Sequence, residues 1–121
     1  MAIDRARTLR GALAGAVAAG LWAAQQPLDK RAFGSQYDDV ELLGKLATRG
    51  PAWPAAGTAM HVHNGALFGA VYANLAPLMP IPPWARGPVA ALAEHVALWP
   101  LGRLTDRLHP AREELVPLTG N

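Results

Sequence analysis

Pro54-Ala-Ala-Gly57-Thr-Ala-Met-His61-Val-His63-Asn-Gly65-Ala-Leu-Phe-Gly69-Ala-Val-Tyr-Ala73-Asn-Leu-Ala-Pro77 decides how this chain is read. It sits inside a longer stretch, between Arg49 and Arg86, that has no Asp, Glu, Lys or Arg. As a helix from about Pro54 to Ala76 it would be roughly 34 Å long, enough to cross a bilayer. Gly57, His61, Gly65, Gly69 and Ala73 recur every fourth residue and so share one helix face. Small residues at that spacing let two helix backbones approach closely, a main source of helix association in lipid.

Working outward, the N-terminal segment repeats the device. After Arg5, Arg7 and Arg10 comes an uncharged run from Gly11 to Leu28 that contains Gly11-x-x-x-Gly15. A helix of that run spans roughly 27 Å, just enough for a bilayer core. Pro27 is expected to stop it near Gln26, because the residue before proline is pushed out of the helical region. A basic start, an apolar centre and small residues at Ala23-Ala24 also fit a cleaved leader, although the bulky Trp22 spoils the small-x-small cleavage pattern.

Asp29 to Gly50 is polar and reads as one short amphipathic helix over Asp38–Thr48. Ser35-Gln-Tyr-Asp38 has the form of a capping box. Asp38, Asp39 and Glu41 suit the start of the helix dipole, and Lys45 and Arg49 its end. Glu41 and Lys45 form an i,i+4 pair, and Gly50 before Pro51 is a natural stop. On the other side of the central stretch, Pro77-Leu-Met-Pro-Ile-Pro-Pro83 makes a stiff extended turn. The fourth helix is expected to begin near Pro88, to bend at Pro100 and to end before Pro110. The tail from Ala111 to Asn121 reads as irregular surface chain.

Bulk properties set further bounds. The 121 residues fit a single domain. Composition is 51% hydrophobic and 17% charged, yet mean hydropathy is only +0.11 because much of the apolar content is alanine. That modest value is the main argument against a membrane. Eleven basic and nine acidic residues are interspersed, which gives no basic stripe for nucleic acid. Cysteine is absent, so disulfides, thiolate metal sites and cysteine nucleophiles are excluded. Ser35 is the only serine, and no phosphate loop or nucleophile elbow is present. The expectation is therefore a non-enzyme with no cofactor. Trp22, Trp84 and Trp99 lie near the ends of apolar runs, where an amphipathic ring suits a membrane interface.

The remaining polar residues form a candidate cluster: Gln25, Gln26, His61, Asn64, Glu94 and His95. Ionisable groups at membrane depth are costly and raise a functional hypothesis. One reading is that they hydrogen-bond the helices together; the others are a proton or ion relay, or haem ligation by His61 and His95. His61 and His63 are two apart on a helix and point to nearly opposite sides, so they do not chelate one metal.

Three segments carry a resemblance: Trp22 to Lys45, His61 to Tyr72, and Glu94 to Asp106. They resemble uncharacterised actinobacterial membrane proteins and are broadly similar to small multi-span inner-membrane proteins of the YagU-like kind. The resemblance implies a helical membrane domain, and a further apolar helix following the Pro/Glu-rich tail that this sequence does not contain. It implies no activity or substrate.

The reading is all-α: three long helices, at least two membrane-embedded, plus one short amphipathic helix, in a multi-pass inner-membrane domain spanning 1–121. Its partners would be membrane lipids and other membrane helices. Arg5, Arg7 and Arg10 favour a cytoplasmic N-terminus, while Lys30, Arg31, Lys45 and Arg49 in the next loop pull the other way. The leading functional expectation is a structural or interaction protein packed through Gly11, Gly15, Gly57, Gly65, Gly69 and Ala73.

Overall fold

The computed structural model describes residues 2–115, 117 and 118. Three long helices and one short one follow in order: α1 (Arg5–Phe33), α2 (Asp39–Ala47), α3 (Trp53–Leu75) and α4 (Pro83–Leu108). A single 3₁₀ turn over Ala76–Leu78 joins α3 to the proline-rich link. The architecture is all-helical. Among the described residues, no helix is long and apolar enough to cross a membrane.

Helix α1 starts on Asp4, whose side chain accepts from the Arg7 N–H at 2.8 Å. It does not end at Gln26. Pro27 lies inside it, and the helix runs on to Phe33, where Gly34 at φ 64° supplies the left-handed cap. Tertiary bonds override the proline. Gln26 is buried, its side-chain carbonyl accepts from the Asp39 N–H at 3.3 Å, and one turn later Lys30 pairs with Asp38 at 3.1 Å. The two contacts, one on each side of Pro27, fasten this part of α1 to the head of α2.

Asp38, not Ser35, caps α2, accepting from the Glu41 N–H at 3.1 Å. The Ser35 hydroxyl instead accepts from the Tyr37 N–H. Helix α4 starts five residues earlier than expected. Two prolines could occupy a first helical position, and the chain uses Pro83 rather than Pro88. Its helix continues across both Pro88 and Pro100.

Helices α1 and α3 pack antiparallel with a constant register: Gly11 lies against Gly69, and Gly15 against Gly65. At each of these glycines an added Cβ would fall inside the van der Waals envelope of the opposing backbone, so only glycine permits this approach. Ala19 and Ala73 complete the contact, beside Gly65 and Gly11 respectively. Gly57 lies elsewhere. It packs on Val40 of α2, while Gly44 of α2 packs on the Trp53 carbonyl. The four-residue stripe therefore divides between two neighbours. Four residues turn a helix by 400°, so the stripe drifts about 40° at each step and about 120° from Gly57 to Gly69.

Each long helix of this pair carries a second stripe, two residues out of phase. On α1, Leu9, Leu13, Val17 and Leu21 are 61–67% exposed. On α3, Leu67, Val71 and Leu75 also face outward. Two residues are 200° on a helix, which puts large side chains outside and glycines inside. Among the described residues, the buried apolar side chains are Ala19, Val40 and Ala111.

The tail departs from expectation. His109 and Ala111 are among the most buried residues described. The Ala111 N–H donates to His109 Nδ1 at 3.0 Å, which leaves Nε2 as the protonated nitrogen, donating to the Leu42 carbonyl at 2.7 Å. The chain turns here and returns to α2. Glu114 then pairs with Arg49 and, at 2.8 Å, with Lys45, which also bonds Glu41 at 2.7 Å. Hydrogen bonds from Lys45 and then Arg49 hold the Glu114 carboxyl down at about 2. Residues 116 and 119–121 of the expected irregular tail lie outside the described residues.

Candidate functional site

Polar side chains converge at the head of α2. Gln26 comes from α1, Tyr37 and Asp39 from the start of α2 and the link before it, and His61 from the middle of α3. Antiparallel packing of α2 on α3 puts Asp39, the residue before Val40, level with His61, which lies one turn beyond Gly57. The Asp39 carboxylate accepts from the Tyr37 hydroxyl at 2.9 Å on one oxygen. Its other oxygen meets His61 Nδ1 at 2.7 Å. Gln26 secures the backbone on both sides, donating to the Tyr37 carbonyl and accepting from the Asp39 N–H. Partial burial, and then the charge of Asp39, push the Tyr37 phenol well above its ordinary range, so it stays a donor.

This arrangement fixes the imidazole. With Nδ1 bound to a carboxylate it is the protonated nitrogen, and His61 Nε2 is buried without a hydrogen-bond partner. A carboxylate-oriented histidine can relay a proton or ligate a metal through its second nitrogen. Among the described residues, no group of three or more His, Asp or Glu is placed to hold a metal ion.

The candidate cluster read from the sequence is divided. Gln26 and His61 meet through Asp39. Gln25 is exposed and bonds Asp29 on its own helix at 3.2 Å. Asn64 and His63 are exposed on α3. Glu94 and His95 lie on α4, where every residue from Ala91 to Pro100 is exposed, and His95 packs beside Trp99 with ring centroids 5.4 Å apart. No described hydrogen bond or ion pair joins Glu94 or His95 to His61, so they form no internal cluster with it. Periodicity groups residues within one helix, and the partner of His61, Asp39, comes from the first turn of α2. The one signal available is the acidic pair Asp38-Asp39, which the sequence reading assigns to the start of the α2 dipole.

A second polar lock lies at the opposite end of the α1/α3 pair. Buried Asn74 donates to the Thr8 hydroxyl at 2.8 Å and to the Ala70 carbonyl at 2.9 Å, and accepts from Arg7 at 3.2 Å. Arg7 Nε is buried without a partner.

Between α4 and the other helices lies a cleft of about 870 Å³, bounded by Trp22 of α1, Tyr37, Asp39 and Leu42 near α2, and Glu94, His95 and Trp99 of α4. Asp39 thus belongs both to the histidine cluster and to the cleft wall. Comparison with described protein families, characterised proteins and solved structures finds no match to this chain.

Proposed function

We propose that this protein is a membrane-associated helical scaffold whose outward apolar faces meet lipid or the helices of other membrane proteins. One observation carries the reading: the helix contacts are made of glycine and alanine, while Leu9, Leu13, Val17, Leu21, Leu67 and Val71 face outward. In water the hydrophobic effect drives large side chains inward; in lipid it supplies no such drive, and small residues dominate the contacts between helices. The polar groups support the same arrangement. The Asn74–Thr8–Arg7 lock ties α1 to α3 at one end of the pair, and the Gln26–Asp39–His61 cluster links them through α2 on the other side of the glycine contact, which supports its register. In this reading His61 and Asp39 position helices.

A soluble bundle that self-assembles through the same apolar faces is the second reading. The observation that favours it is that no described helix is long and apolar enough to cross a membrane. Washing membranes of expressing cells with alkaline carbonate separates the two. The scaffold reading expects the protein in the pellet, released only by detergent. Recovery in the soluble fraction as an oligomer would replace it with the second.

A further inference from the structure

The cleft beside α4 has a chemical character of its own. Its volume, about 870 Å³, is in the range of sites for drug-sized molecules. Aromatic rings stand on both sides: Trp22 and Tyr37 on one wall, His95 and Trp99 on the other. Trp22 is 54% exposed and Trp99 60% exposed, so both rings are available to a guest. Two carboxylates, Asp39 and Glu94, also line the cleft, and no lysine or arginine does. The nearby Lys30 is engaged with Asp38. Asp39 is held by Tyr37 and His61, whereas Glu94 is exposed and forms no hydrogen bond or ion pair with the described residues.

We infer that this cleft binds a lipophilic organic cation: a quaternary ammonium or phosphonium centre carrying apolar arms. Such a cation gains from the faces of tryptophan and tyrosine, and an anionic wall without competing basic groups selects its charge. Its hydrocarbon arms would lie on Leu42, Leu98 and Leu101. Glu94 supplies the free countercharge. The inference rests on the cleft alone and holds whether or not the protein resides in a membrane.

Tetraphenylphosphonium and tetraphenylborate match in size and apolarity and differ in the sign of charge. Their binding to the intact protein is to be measured by calorimetry, with protein-free buffer or uncharged micelles as the blank. The phosphonium is expected to bind at least about tenfold more tightly than the borate. Glu94→Gln should reduce phosphonium affinity about fivefold and leave borate unchanged or improved, and Trp99→Ala should weaken the phosphonium about tenfold. Both substitutions lie on an exposed stretch of α4, and a circular dichroism spectrum matching the parent confirms the fold. Competition assigns the source of the cation: displacement by a short-chain phosphatidylcholine points to a lipid headgroup, and displacement by a free alkylammonium to a soluble ligand. Equal affinity for the two probes would reduce the cleft to an unselective apolar surface and overturn the proposal. So would phosphonium binding that weakens as protein concentration rises, because a second copy would then fill the cleft.

Discussion

The α1/α3 contact and helix α4 are built from similar alphabets, alanine, leucine, valine and glycine, and end in opposite conditions. In the first, glycines at matched register bring two backbones together, and the Asn74–Thr8–Arg7 hydrogen bonds fasten one end of the pair. In the second, Ala91 to Pro100 are all exposed, and the helix is held at its ends by the proline link and the His109 turn. The difference lies in where the small residues fall. Gly11 and Gly15, and Gly65 and Gly69, stand one turn apart on each helix and can mesh, whereas Gly87 and Gly102 of α4 stand far apart. Glycine is a poor helix former and becomes stabilising only when its missing side chain admits a neighbour.

The largest effect is expected from filling the glycine contact. Gly15→Leu or Gly65→Leu forces the helices apart and should cost about 3 kcal/mol or more, read as loss of cooperative thermal unfolding. Cutting the cluster at the head of α2 comes next. Asp39→Ala strands Tyr37 and His61, and about 1–3 kcal/mol should be lost, while Asp39→Asn, which still accepts from Tyr37, should lose less. His109→Ala removes the bond to Leu42 and leaves the Ala111 N–H unpaired; it should cost about 1–2 kcal/mol and release the tail to limited proteolysis.

The tail pair gives a pH test. The Glu114 carboxyl is held down from its ordinary 4.5 to about 2 in the folded protein. Its contribution is therefore complete above about pH 4.5 and is lost as pH falls towards 2. Glu114→Gln should remove this part of the acid dependence, so the variant is slightly less stable than the parent at neutral pH and converges with it towards pH 2; the difference is small because the group is exposed. The smallest effect belongs to α4, where Leu92→Ser or Val96→Ser should shift stability by less than about 0.5 kcal/mol in detergent.

These expectations also mark what a reader of the sequence alone could reach. The number of helices, the short amphipathic α2 and its Glu41–Lys45 pair follow from spacing and from charges at helix ends, which are local matters. The passage of α1 through Pro27 was not legible, because the bonds that hold it come from Tyr37 and Asp39, more than ten residues on. The choice of Pro83 over Pro88 was open, since both satisfy the same local rule. Gly57 looked equivalent to Gly65 because a four-residue stripe drifts slowly, and only the position of α2 reveals that the two face different partners. The tail from Ala111 reads as surface because nothing in Glu113-Glu114 announces that Lys45 and Arg49 wait for one of them. The Tyr37–Asp39–His61 cluster fell between segments that periodicity treats separately.

The absence of cysteine makes one measurement decisive for the central claim, that the large apolar stripes form the lipid-facing exterior. Single cysteines at Leu13, Val17 and Leu67 are to be exposed, in native membranes, to a water-soluble and a lipid-soluble maleimide. The account requires fast reaction with the lipid-soluble reagent and protection from the water-soluble one, with protection lost in denaturant. Rapid labelling of all three by the water-soluble reagent would contradict it and leave the stripes facing water or a soluble partner.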